Sequence, residues 1–179
     1  MSENKEQGYG NIESPYELFK AAQRDILTIK SIIKDEDVQF EDNVETICRC
    51  AAESVEKMLK GWIINTNDNI KVYGIHDLNK LIDIATNMDS SFIKLEDGII
   101  NLNNYTPKLR YNSRFTIEKH EVKESLKNLK NVYDFPLIRE LRDKTNTDNN
   151  FIKIPDNINL LFGEFGQNNT LTENEFTSN

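Results

Sequence analysis

VETICRCAAESVEKMLKGWI, residues 44–63, is the stretch on which the fold turns. Its apolar residues Val44, Ile47, Ala51, Val55, Met58 and Trp62 follow one another in steps of 3, 4, 4, 3 and 4. That rhythm tracks the turn of an α-helix and places all of them on one face. Glu53, Glu56, Lys57 and Lys60 fall off that line. A Met/Trp stripe at this spacing is the mark of a core helix rather than of a cofactor-binding box. The run Asn65-Thr66-Asn67-Asp68-Asn69 breaks the pattern and ends the helix near Asn65.

The same spacing recurs on either side. Ser14 stands as an N-cap, Pro15 takes the first helical position, and Glu17 follows three residues after the serine. Leu18, Phe19, Ala22, Ile26, Ile29 and Ile33 line one face, so a helix is predicted over Pro15–Lys34. A third helix starts around His76-Asp77, with Leu78, Leu81, Ile82, Ala85 and Met88 turned inward. Ser90 to Leu102 is a shorter helical segment carrying Gly98, a poor helix former. Pro107 interrupts, and Arg110 to Arg114 reads as a loop or helix approach. A last long helix is predicted from Thr116 to Tyr133, with Ile117, Val122, Leu126, Leu129 and Tyr133 as its apolar contacts. Thr116 would cap it, and Lys119 would take the place of a capping-box Glu, leaving the cap partial. Pro136 either kinks this helix or starts a short one reaching Lys144. With no strand alternation along this path, the fold is predicted to be all-α: an antiparallel up-down bundle of four or five helices.

Residues 1–12 are polar and outside the bundle, which should occupy 13–144. Residues 145–179 hold one Lys against five acids and are rich in Asn and Thr; they read as a mostly disordered or loosely docked tail. At 179 residues, the chain suits one domain able to bury a core. It is 37% hydrophobic and 29% charged, within the soluble globular class. No apolar run approaches the ~20 residues of a membrane span, and the N-terminus does not resemble a signal peptide, so a cytoplasmic location is expected. Cys48 and Cys50 flank Arg49; two residues apart on a helix they face different directions, and no second pair completes a zinc site. They read as buried thiols. Neither a metal cluster nor a glycine-rich phosphate loop is present, so no metal or cofactor is expected.

The net charge of −8 argues against wrapping of nucleic acid but leaves room for a local site. Residues 101–130 supply one, with seven Lys/Arg against three Glu. This basic island contains Lys108, Arg110, Asn112, Arg114, Lys119 and Lys123, and His120, one of two histidines. The other, His76, followed by Asp77-Leu78 at a helix start, is read as ordering that turn by hydrogen bonding rather than as a ligand or base.

Four pieces, in order, resemble the HEPN domain, the nucleotide-binding helical bundle of higher eukaryotes and prokaryotes. They are YELFKAAQRDILTIKSII (16–33), CRCAAESVEKMLKGWI (48–63), HDLNKLI (76–82) and YTPKLRYN (105–112). The resemblance implies a four- or five-helix bundle that often forms a homodimer. It implies work on nucleotides or RNA, in many members beside a separate minimal nucleotidyltransferase in toxin–antitoxin or defence pairs. Some members are metal-independent ribonucleases carrying an Arg and, four to six residues on, a His. Arg114 and His120, with five residues between, match that spacing. The resemblance would make His120 the base that takes the ribose 2′-hydroxyl proton and Arg114 the group that stabilises the phosphorane, giving 2′,3′-cyclic phosphate ends without a metal.

Lys108, Arg110, Asn112, Lys119 and Lys123 would hold phosphate. Two departures keep a binding module open beside the enzyme. Phe115 follows Arg114 where ribonuclease members commonly have Asn, and Arg110 is equally a structural partner for Glu53 or Glu56.

Overall fold

The computed structural model describes residues 14–34, 43–105 and 117–145. Among these the structure is all-α, as predicted, with six α-helices and no strand. They are α1 (Pro15–Lys34), α2 (Val44–Thr66), α3 (Leu78–Met88), α4 (Glu96–Asn103), α5 (Lys119–Tyr133) and α6 (Pro136–Thr145). A 3-10 segment, Ser90–Leu95, leads from α3 into α4. The predicted N-terminal segment 1–12 and the tail beyond Thr145 lie outside the described residues. No described helix is long and apolar enough to cross a membrane.

The caps explain where the helices start and stop. Ser14 Oγ accepts the Glu17 N–H at 3.3 Å, as the Ser-Pro-x-Glu pattern requires. Asp77 Oδ1 accepts the Asn79 N–H at 3.1 Å and opens α3; Asn103 Oδ1 accepts the Leu78 N–H at 2.8 Å, tying that start to the end of α4. The Asn67 N–H closes α2 on the Ile63 carbonyl at 2.9 Å.

Helix α2 is the centre of the bundle and packs on α1, α3 and α5, with lighter contact to α4 and α6. Along α1 the approach is close: a Cβ on Gly61 would lie 2.9 Å from Phe19 Cε2. Below that contact, Ser54 donates to the Ala22 carbonyl at 3.2 Å and Lys57 pairs with Asp25 at 2.5 Å. Burial raises the Asp25 carboxyl above its ordinary range even though Lys57 pulls the other way. One end of the core is an aromatic cluster, with Trp62 4.4 Å from Phe92 and Phe92 4.7 Å from Phe135, ring centre to ring centre.

Three expectations need correction. The segment 90–102 is not one helix: its first part is 3-10, and Gly98 sits inside α4 where Asn128 of α5 comes close, a Cβ there falling 2.8 Å from Asn128 Oδ1. Glu56 and Lys60, read as a polar flank, are 9% and 5% exposed, since a central helix is covered on several sides. The cap of α5 is supplied by Glu118 and Glu121, so the helix starts at Lys119; Thr116 lies outside the described residues.

Candidate functional site

The described part of the basic island begins at the first turn of α5. Glu118 is the N-cap, and its N–H is held by Glu121 Oε2 at 2.7 Å. A carboxylate in this position satisfies a donor that no helical carbonyl can reach and suits the positive end of the helix. The turn is tied to the rest of the bundle by the second oxygen of Glu121: the Tyr105 hydroxyl donates to Oε1 at 3.0 Å. Tyr105 follows the C-cap of α4, Asn104, and is 9% exposed. The two helices run antiparallel here, because Gly98 meets Asn128, Asn101 meets Glu124 and Tyr105 meets Glu121.

Ser125 is buried beside Cys48 and Tyr105 and favours the ionised form of each. Burial pushes the Cys48 thiol up to about 11 and raises the Tyr105 phenol as well. Cys48 and Cys50 are both buried and neither forms a disulfide, in line with the reading of the pair as interior thiols.

On the outer side of the same turn stands His120. Its side chain is 71% exposed, and Nδ1 lies 3.2 Å from Glu118 Oε2. A proton on Nδ1, donated to that carboxylate, leaves Nε2 as the ring's acceptor. Lys123 and Lys127 are exposed and follow His120 at three and seven residues, so they share its face. Glu124 interrupts this face with an exposed carboxylate that accepts from the Asn101 amide at 2.9 Å. Lys130, next along, is half-buried and forms an ion pair with Asp134. The result is an exposed face of α5 on which the Lys123 and Lys127 ammonium groups follow the imidazole of His120, suited to an anionic ligand.

Of the residues singled out from the sequence, His120 and Lys123 fall on this ribbon. Lys119 is the first residue of α5. Lys108, Arg110, Asn112 and Arg114 lie outside the described residues, as does the Lys119 side chain.

His76 is used differently from expectation. Asp77, not His76, orders the start of α3. His76 Nδ1 instead reaches Glu56 Oε1 at 3.0 Å, the same oxygen that takes Lys60 Nζ at 2.7 Å. Lys60 also donates to the Tyr73 carbonyl at 3.2 Å. The buried lysine is thus paired and hydrogen-bonded, which is what allows it to remain inside. Periodicity missed this group and the Tyr105–Glu121 bond. The signals present were the i,i+4 spacing of Glu56 and Lys60 and the Glu118-x-x-Glu121 box. Among the described residues no three His, Cys, Asp or Glu gather as a metal site.

A family model described as HEPN domain matches residues 16–141, more than half of the chain. No curated protein and no solved structure matches at a significant level.

Proposed function

The chain belongs to the HEPN domain family, and from that premise we propose that it is a nucleotide- or RNA-associated binding module whose phosphate-contacting surface is the outer face of α5. The observation that carries this reading is the ribbon of His120, Lys123 and Lys127, exposed on one helical face of an otherwise acidic chain. Cations on a rigid element attract phosphate and release its condensed counterions. Lys108, Arg110, Asn112 and Lys119 are further phosphate contacts in this proposal. In this proposal the chain is a cytoplasmic homodimer that works with a separate minimal nucleotidyltransferase in a toxin–antitoxin or defence setting.

The test is the affinity of labelled single-stranded RNA at several salt concentrations, with wild type compared to Lys123→Gln/Lys127→Gln. Loss of two phosphate contacts weakens binding and flattens the log–log salt slope by about 1.4. An unchanged affinity and slope would refute the proposal.

A second reading is supported by the exposure of His120 beside a carboxylate. In it the chain is a metal-independent endoribonuclease in which His120 takes the 2′-hydroxyl proton and Arg114 stabilises the phosphorane, leaving a 2′,3′-cyclic phosphate. Mixed RNA incubated in EDTA with wild type and with His120→Ala decides this. Cleavage by wild type alone supports the enzyme; equal cleavage by both, or none by either, eliminates it.

A further inference from the structure

We propose that Tyr105 and Glu121 are positioning residues that fix the first turn of α5, and through it the imidazole of His120. The inference rests on the reading of that turn as a phosphate-contacting surface. A first helical turn with exposed side chains frays unless something ties it down. Here the tie is continuous from the interior to the surface. The Tyr105 ring is packed in the core, and Ser125, itself buried, lies beside its hydroxyl. That hydroxyl donates to Glu121 Oε1, and Glu121 Oε2 holds the Glu118 N–H. The Glu118 side chain in turn faces His120 Nδ1. Both carboxylate oxygens of Glu121 are therefore engaged, one toward the core and one toward the backbone of the residue beside the imidazole.

A capping box alone would need only the second of these bonds. The first adds a fixed point outside the helix, so the turn is located relative to the end of α4 as well as to its own axis. Tyr105 is 9% exposed, and in this proposal it acts through Glu121 rather than by touching ligand.

The test is a double-mutant cycle read by RNA affinity, using wild type, Tyr105→Phe, His120→Ala and the double variant. Tyr105→Phe keeps the buried ring and removes only the hydroxyl. It should weaken binding about tenfold, the effect of losing one hydrogen bond to a charged group. In the His120→Ala background it should weaken binding no further. Glu121→Gln, which retains an acceptor oxygen toward Tyr105, should bind more tightly than Glu121→Ala. Amide exchange at Glu118 and Glu121, whose N–H groups are bonded within this turn, should rise in Tyr105→Phe and not in His120→Ala. If Tyr105→Phe weakens binding equally in both backgrounds, the effect is general destabilisation and the inference falls. If His120→Ala leaves RNA affinity intact while Lys123→Gln/Lys127→Gln lowers it, His120 is no part of the phosphate surface; if both leave it intact, the phosphate-surface reading fails. The positioning claim is then decided by exchange alone, and unchanged protection in Tyr105→Phe overturns it.

Discussion

Cys48 offers the most direct check on the packing beneath the candidate site. It is fully buried, and burial lifts its thiol from 9.0 to about 11, with Ser125 opposing and the Glu121 charge adding to the rise. In the unfolded chain the thiol is solvated and ionises near its ordinary value. Below pH 9.0 both states carry a neutral thiol, and the contribution to stability is present in full. As pH rises above 9.0 the unfolded chain loses its proton while the folded protein retains it, so each pH unit costs the folded state about 1.4 kcal/mol. Above about 11 both states are ionised and the loss is complete, at about 3 kcal/mol. Tyr105 and Tyr133 are raised in the same sense, so the whole protein weakens further in alkali. The difference between wild type and Cys48→Ala isolates the thiol. Urea unfolding followed by circular dichroism in steps across this window should show wild type losing about 3 kcal/mol more than the variant. Parallel stability curves would refute the idea that Cys48 is held neutral by its burial. A thiol reagent applied to folded protein below pH 9.0 should label Cys48 only at the rate of unfolding, and rapid labelling would sink the same argument.

Gly61→Ala should destabilise by about 1–3 kcal/mol in thermal unfolding, because its methyl group would press on the buried Phe19 ring at 2.9 Å. Gly74→Ala, with nothing within 4 Å of the new methyl group, should stay within about 0.5 kcal/mol of wild type; equal effects at the two sites would contradict the described contact between α1 and α2. Glu56→Ala leaves Lys60 buried without its carboxylate and should cost about 3 kcal/mol, whereas Glu56→Leu/Lys60→Met should recover most of that loss in the same denaturation assay. A double variant as unstable as the single one would mean that the pair is not the reason Lys60 is tolerated inside.

The limits of the sequence follow from what periodicity encodes. Both ends of α1 and the end of α2 are legible, because an apolar face repeats every turn, the Ser14–Glu17 cap marks the start of α1 and the Asn/Asp run after Ile64 stops α2. Lys60 was not legible as an interior residue, since a single apolar stripe assumes a helix with one covered side. Helix α2 is covered by α1, α3 and α5, so residues off the stripe are buried too, and the only local hint is that Glu56 lies one turn before Lys60. Gly98 was read by its poor helix propensity, yet its neighbour there is Asn128, from a helix some thirty residues on.

The start of α5 failed for a related reason. Thr116 outranks Glu118 as an N-cap by preference, but Glu121 can satisfy the Glu118 N–H and at the same time receive Tyr105 from the end of α4. Local preference prices only the first of these bonds. The second depends on where another segment arrives, and a bond of that kind holds the turn carrying His120. Core helices are written as one-dimensional repeats, while the candidate site is built where two helix ends meet. A scan of residue spacing therefore finds the histidine but not the pair of residues that hold its turn in place.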